Sequence, residues 1–310
     1  MKIAIASGKG GTGKTMVAVA LAQSLAGDAR RNGAGPLLLD CDVEAPDAHL
    51  FLDPMVDRRQ DVAVPVPRVD EQRCNLCGDC SRVCQFNAIV ILGNAVQTFP
   101  ALCHGCGSCA LICPEEAIEE VPRVVGRLAA GCASGVRLAW GTLDVGEAMA
   151  VPVIRALKAW PGPVANGITI LDSPPGTSCP VVETIQGCDY VLLVTEPTPF
   201  GLHDLELAVE VVRELGVPAG VVVNRDGPAY ARLDAFCQDH ELPILLRIPF
   251  ARSIAEAIAR GKTLLDAEPS CGPRLRRIVE RVRDQVRGAP ATSDVREPGV
   301  QEIVEEGASS

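Results

Sequence analysis

Residues 8–15 read Gly8-Lys9-Gly10-Gly11-Thr12-Gly13-Lys14-Thr15, the string GKGGTGKT. The spacing of its glycines, lysine and threonine is that of a loop that cradles phosphates, and the flanks agree with it. Residues 2–7 (KIAIAS) read as a short β-strand, and residues 15–26 read as a helix. Glycines let backbone amides converge on phosphate oxygens, and a helix N-terminus adds partial positive charge. In such a loop Lys14 neutralises the outer phosphates and Thr15 offers its hydroxyl to magnesium.

Outward from the loop, residues 33–36 break the chain, residues 37–39 read as a buried strand, and an acidic loop follows over residues 40–47. Residues 53–69, rich in Pro, Asp and Arg, read as a linker. Further on, residues 123–128 and 136–142 suggest a hairpin and residues 148–160 a helix. Residues 167–171, 190–195, 219–223 and 244–248 then read as buried strands, with helices over residues 201–215, 228–240, 253–261 and 273–286. This alternation predicts an α/β fold with a doubly wound, mostly parallel sheet. The Pro-, Glu-, Ser- and Gly-rich end of the chain reads as a disordered acidic tail.

The chain has 310 residues, 47% of them hydrophobic, and a net charge of −10. That is enough apolar material for one large domain and a small one. The acidic balance argues against nucleic acid as a partner, because phosphate backbones are bound by clustered Lys and Arg. No apolar run approaches the ~20 residues that span a bilayer, and the N-terminal stretch resembles no signal peptide. A cytoplasmic setting is therefore expected, where clustered cysteines bind metal more often than they pair.

There are 14 cysteines, eight of them between Cys74 and Cys113. Cys74, Cys77, Cys80 and Cys84 form C-x2-C-x2-C-x3-C, and Cys103, Cys106, Cys109 and Cys113 repeat it. Zinc motifs seldom show this tight spacing twice. The doubled run, over about residues 69–121, resembles bacterial ferredoxins, in which the last cysteine of each run ligates the other run's cluster. The resemblance implies two [4Fe-4S] clusters, one on Cys74, Cys77, Cys80 and Cys113, the other on Cys103, Cys106, Cys109 and Cys84. Pro114 follows the second run as the pattern requires, whereas Gln85 replaces the proline after the first. Of the other six, Cys41, Cys132, Cys179, Cys188, Cys237 and Cys271, most are expected to be buried and inert.

The second lysine of the phosphate loop, Lys9, is not required by an ordinary loop of this type, and KGGTGKT resembles the deviant loop of the MinD/ParA/nitrogenase iron protein family. Three further segments match that family in order: LLLDCDVEAPD, with Asp40 and Asp42, its switch I; ILDSPPGTS, with Asp172, its Walker B and switch II; and Asn224 in VVVNR. Taken singly, an aspartate at a strand end is as readily a cap or a turn former. The resemblance implies that Gly8 to Thr15 bind ATP, that Lys9 reaches the phosphates of a partner subunit, and that Asp42 orients the attacking water. It further implies that Thr15, Asp40 and Asp172 serve magnesium and that Asn224 recognises adenine.

A ferredoxin run between switch I and switch II resembles the MinD-superfamily ATPases with an inserted ferredoxin domain. This implies an ATPase in two parts, residues 1–68 and 122–287, an inserted α+β unit over residues 69–121, and a tail over residues 288–310. The expected activity is ATP hydrolysis coupled, through ATP-dependent homodimer closure, to electron transfer with an unidentified redox partner. The alternative is a carrier that assembles iron-sulfur or other metallocofactors and releases them under ATP control. A positioning protein of the MinD or ParA kind is the weaker third reading, since the acidic tail lacks the basic amphipathic character of a membrane anchor.

Overall fold

A computed structural model describes residues 1–32, 35–160, 167–227 and 230–288. The chain begins with β1 (Lys2–Ala6), α1 (Lys14–Asn32), β2 (Leu37–Asp40), α2 (Ala48–Leu52) and β3 (Met55–Val69). The cysteine-rich segment holds α3 (Asp79–Val83), a hairpin of β4 (Ile89–Leu92) and β5 (Ala95–Thr98), and α4 (Ser108–Leu111). Next come β6 (Ile118–Ala133), β7 (Val136–Leu143), α5 (Val151–Ala159), β8 (Thr169–Asp172), α6 (Cys179–Ile185), β9 (Tyr190–Thr195) and α7 (Pro199–Glu214). The chain closes with β10 (Ala219–Asp226), α8 (Ala231–Asp239), β11 (Ile244–Pro249), α9 (Arg252–Ala259), α10 (Leu264–Ala267) and α11 (Cys271–Gly288). Residues 228–229, where the helix expected over residues 228–240 starts, and residues 289–310 of the expected tail lie outside the described residues.

Nine strands form one sheet in the order β11-β10-β9-β1-β8-β2-β7-β6-β3. The seven from β11 to β7 run parallel, and β6 and β3 continue antiparallel. Parallel strands are buried on both faces, and β1 shows it. Ala4 and Ala6 face a core with α5, α6, α7 and α8, while Ile3 and Ile5 face one with α1, α2, α9, α10 and α11. Strand order places the phosphate loop, after β1, between the carboxyl ends of β8 and β9, the place where open α/β sheets bind ligands.

Residues 53–69 are not a linker. They form β3, paired along its length with β6 from Met55↔Cys132 to Val69↔Ile118. Val62, Val64 and Val66 are buried on one face, and Pro65 and Pro67 fall on the alternate positions. Because β3 is the outermost strand, both prolines can turn their missing N–H to the unpaired side. The lower half of β6, residues 126–133, also pairs with β7, which fixes the base of the ribbon in the main sheet. The upper half extends beyond β7 and carries the cysteine segment, whose Ala88 and Cys103 pack in the same core as the ribbon valines.

Candidate functional site

The loop after β1 borders an open cleft. Gly10, Gly11, Gly13, Lys14 and Thr15 line one end with Asp42 and Asp47, and Asn224, Pro249, Phe250 and Ile254 line the other. The glycines are needed sterically. Gly13 has φ of 92°, and a Cβ there would lie 2.5 Å from Nδ2 of Asn224. A Cβ on Gly8 would lie 1.9 Å from the backbone oxygen of Asp204 on α7.

Facing Lys14 are acidic groups from two adjacent strand ends and the loop after one of them. Asp40 and Asp172 are register partners on β2 and β8, and both are buried. Carboxylate oxygens of Asp40, Asp47 and Asp172 lie within 4.8 Å of one another. Burial, reinforced by the Asp40 carboxylate, pushes Asp172 well above the usual carboxylate range, and burial pushes Asp40 up to about 7. Asp42 is raised by burial against the pull of Lys14. Lys14 itself is lowered by burial, opposed by Asp172, Asp42 and Asp47.

The three clustered acids, Asp40 and Asp172 buried and Asp47 half-buried, do different work. Oδ2 of Asp40 accepts from the amides of Asp47 (2.9 Å) and Ala48 (3.0 Å), and Oδ1 accepts from the amide of Asp42 (3.2 Å), so Asp40 anchors the acidic loop. Both oxygens of Asp172 and Oδ1 of Asp47 are buried without a hydrogen-bond partner, as is Oγ1 of Thr12. Orphaned buried oxygens beside a phosphate loop are what a hard divalent cation and a phosphate would satisfy. The residues present therefore fit magnesium, with Asp47 joining Thr15 and Asp172. Asp47 is a site residue that the sequence did not single out. Its acidic loop was visible, but nothing local separates it from Glu44.

Asn224 donates from Nδ2 to the carbonyl of Thr12 (2.7 Å) and accepts at Oδ1 from the amide of Arg225 (2.9 Å). It braces the phosphate loop at the edge of the cleft, whatever contact it makes to a base. Lys9 lies with Nζ 3.9 Å from Glu196 and 3.8 Å from Asp204 of its own chain, and its side chain is 33% exposed. Glu196 is also held by Arg225 at 2.6 Å.

The acidic loop leads directly to the ribbon. The Asp40-bound amides of Asp47 and Ala48 open α2, Asp53 closes it in the left-handed conformation (φ 46°), and β3 starts at Met55. His49 of α2 stacks on Trp140 of β7 with ring centroids 5.1 Å apart, and the amide of Leu143 donates to the carbonyl of Val43 (2.8 Å).

At the other end of the ribbon the eight clustered cysteines surround two cavities. Cys74, Cys77, Cys80 and Cys113 line one, with Val69, Ile91, Val96 and Ile118. Cys84, Cys103, Cys106 and Cys109 line the other, with Pro65, Pro67, Phe86 and Ile89. The last cysteine of each run thus stands with the first three of the other. The two halves repeat in detail. Leu76 and Gly105 are left-handed (φ 61° and 65°), as are Gly78 and Gly107 (φ 85° and 74°). The amides of Ala88 and Ala117 donate to Sγ of Cys84 and Cys113, each at 3.3 Å. All fourteen cysteines are free thiols. Sets of four thiols around an apolar hollow, with amides aimed at sulfur, fit a thiolate-bound iron-sulfur cluster in each. Of the remaining six, Cys41, Cys188, Cys237 and Cys271 are buried, and Cys132 and Cys179 are exposed.

The loop, its lysine and threonine, and the buried acids at adjoining strand ends define a P-loop nucleotide-binding protein. The family model for the CobQ/CobB/MinD/ParA nucleotide binding domain matches residues 3–264. An uncharacterized protein of Methanocaldococcus jannaschii is 31% identical over 284 residues, covering 92% of this chain and 97% of its own. A second uncharacterized protein from that organism is 28% identical over 272 residues, covering 86% and 91%. Among solved structures, the septum site-determining protein MinD of Pyrococcus horikoshii, complexed with Mg-ADP, aligns with TM-score 0.54 at 17% identity, over 92% of this chain and 98% of that one. The cell division ATPase MinD of Pyrococcus furiosus gives 0.53 at 19% identity, over 91% and 98%. These two share the fold. The chain belongs to the CobQ/CobB/MinD/ParA nucleotide-binding family. Among the described residues no helix is long and apolar enough to cross a membrane.

Proposed function

We propose that this chain is an ATPase that holds two [4Fe-4S] clusters and couples nucleotide-driven closure of a homodimer to electron transfer through them. The observation that carries this reading is the sorting of eight cysteines into two four-cysteine cavities, at the tip of a ribbon whose base continues from the loop facing Lys14. The domain division follows: an ATPase in two parts, residues 1–68 and 122–287, with an inserted α+β unit over residues 69–121.

In this reading Lys14 and the loop amides neutralise the phosphates of ATP, and the orphaned Thr12 hydroxyl takes a phosphate oxygen. Thr15, Asp172 and Asp47 would hold magnesium, which would supply charge neutralisation at the transferring phosphoryl group. Half-buried Asp42 orients the attacking water, and Lys9 leaves Glu196 and Asp204 to reach the partner subunit's nucleotide. Clusters bound in the cavities would supply one-electron storage and relay. Engagement of the Asp42 loop by the γ-phosphate shifts α2, and with it the start of β3, so that nucleotide state is felt along the ribbon.

The test is to purify the protein without oxygen, assay iron and acid-labile sulfide, and follow an electron paramagnetic resonance redox titration with and without Mg-ATP. Two cluster signals that shift with ATP support the coupled reading, and signals indifferent to ATP remove the coupling. A second reading, a cofactor-assembly carrier with ATP-gated release, draws support from the exposure of Cys77 and Cys106, one in each set. Cluster transfer to an apo-protein acceptor favours it, and clusters that never leave reject it.

A further inference from the structure

The two cysteine cavities are related by the repeated motif, and their differences fall at equivalent positions. The residue two after the second cysteine of each run is Asp79 in the first and Ser108 in the second. The thiol of Cys77 donates to Oδ2 of Asp79 at 3.5 Å, and the thiol of Cys106 donates to Oγ of Ser108 at 3.4 Å. The contacts look alike while the sulfurs carry protons. They part company when the sulfurs are thiolates on iron, because a hydroxyl can turn and donate to sulfur, whereas a carboxylate has no proton to give and faces the thiolate as a like charge.

A second difference has the same sign. The amide of Gly105 donates to Sγ of Cys103 at 3.4 Å, and no such bond is made to Cys74 from Leu76, its counterpart. The amide donors at Ala88 and Ala117 are matched and cancel. Each cavity is lined by one further glutamate, Glu115 in the first and Glu120 in the second. Arg82 pairs with Asp79 and also donates to the carbonyl of Cys77 (3.1 Å), so the pair adds no net charge and the carboxylate acts only through its closer approach to the Cys77 sulfur. The Cys84/Cys103/Cys106/Cys109 set thus has two more sulfur-directed donors, and the other set has one more carboxylate.

Donors to cluster sulfurs stabilise the more negative, reduced state, and a nearby carboxylate opposes it. We infer that the two cluster sites are not equivalent: Ser108 and Gly105 make the Cys84/Cys103/Cys106/Cys109 site the higher-potential one, and Asp79 makes the Cys74/Cys77/Cys80/Cys113 site the lower. This rests on the cluster reading above. A single electron from a one-electron donor, dithionite in the test, therefore settles at the Ser108 site, taking that cluster from the 2+ to the 1+ state. This site leans on the ribbon just below its tip through Pro65 and Pro67, whereas the Asp79 site sits at the tip itself against Val69 and Ile118. The gradient of potential points from the tip toward the ATPase.

The test is the same resonance-monitored titration of the anaerobically reconstituted full chain, in the wild type and in the Ser108→Ala and Asp79→Ser variants. Two one-electron steps are expected. Ser108→Ala should lower the upper midpoint, changing the reduced-to-oxidised ratio at fixed potential by about tenfold at most, or ~59 mV for one electron. Asp79→Ser should raise the lower midpoint on the same scale, and each variant should leave the other step in place. Clusters that titrate together in the wild type, a Ser108→Ala change that moves the lower step, or variants that move neither step overturn the inference while leaving the cluster reading intact. A wild-type protein without iron and sulfide overturns both.

Discussion

Asp40 and Asp172 stand side by side as register partners at the carboxyl ends of β2 and β8, both out of contact with solvent. Burial raises Asp40 from 3.8 to about 7. The folded nucleotide-free chain therefore keeps a proton there up to about pH 7 that the unfolded chain gives up near 3.8. Since the folded state binds more protons across that window, its stability falls as pH rises from 4 to 7 and levels off above. The unfolding free energy from urea denaturation should decline between pH 5 and 8 by an amount on the order of a few kcal/mol. Saturating Mg-ADP should flatten the slope, because a bound cation takes over from the proton. A pH-independent midpoint in the nucleotide-free protein would show that the pair is already ionised.

Lys9→Ala should separate stability from turnover. Its contacts to Glu196 and Asp204 are long and one-third exposed on the lysine side, and such pairs contribute about 0–1 kcal/mol. Thermal stability should change little, while ATP hydrolysis falls by at least about tenfold if the lysine completes a partner's site, a loss of ~1.4 kcal/mol in transition-state stabilisation. Equal turnover by the variant removes the dimer role.

Asn224→Ala leaves the Thr12 carbonyl and the Arg225 amide without their partners. Chemical denaturation should register a loss of about 1–3 kcal/mol, and nucleotide affinity should fall with it because the phosphate loop loses its brace. Gly13→Ala attacks the same contact from the other side, by driving a Cβ against Nδ2 of Asn224. In a double-mutant cycle the two should be far from additive.

Cys84→Ser and Cys113→Ser test the crossed arrangement. Cys84 belongs to the first run but lines the cavity of the second. Its loss should perturb the signal that Ser108→Ala also moves, whereas Cys113→Ser should perturb the one that Asp79→Ser moves. The opposite correspondence would show that each run keeps its own four cysteines.

Much of this was legible in the chain because the signals are local. The strand, loop and helix around Lys14 are contiguous, and the crossed cysteine sets follow from the motif's own rule. In the sequence the β3 ribbon reads as a linker, although Val62, Val64 and Val66 alternate as a strand should. Pro65, Pro67 and the charged residues before them outweighed that pattern, and only tertiary pairing reveals that β3 is an outer strand where prolines are tolerated. Asp47 was missed for a similar reason: what sets it apart is the hydrogen bond from its amide to Asp40 and the company of Asp172, neither of which a sequence displays. Helix ends shifted by a few residues, as with the expected helix over residues 148–160, which runs over Val151–Ala159, because Pro152 suits the first turn of a helix and the residues before it need not be helical.

Val69 and Ile118, the last residues of the ribbon strands, are partners across the ladder. The polypeptide thus leaves for the cysteine segment and returns from it at neighbouring points, so the segment is a closed loop whose ends the rest of the protein already holds together. Bringing the ends of a long loop together is a conformational cost that grows only slowly with its length, and here the ribbon meets it once for any loop placed at its tip. Shortening, enlarging or exchanging what lies between Val69 and Ile118 then leaves the nucleotide-binding sheet to fold as before, which makes this junction a natural grafting point for other electron-carrying or metal-binding loops.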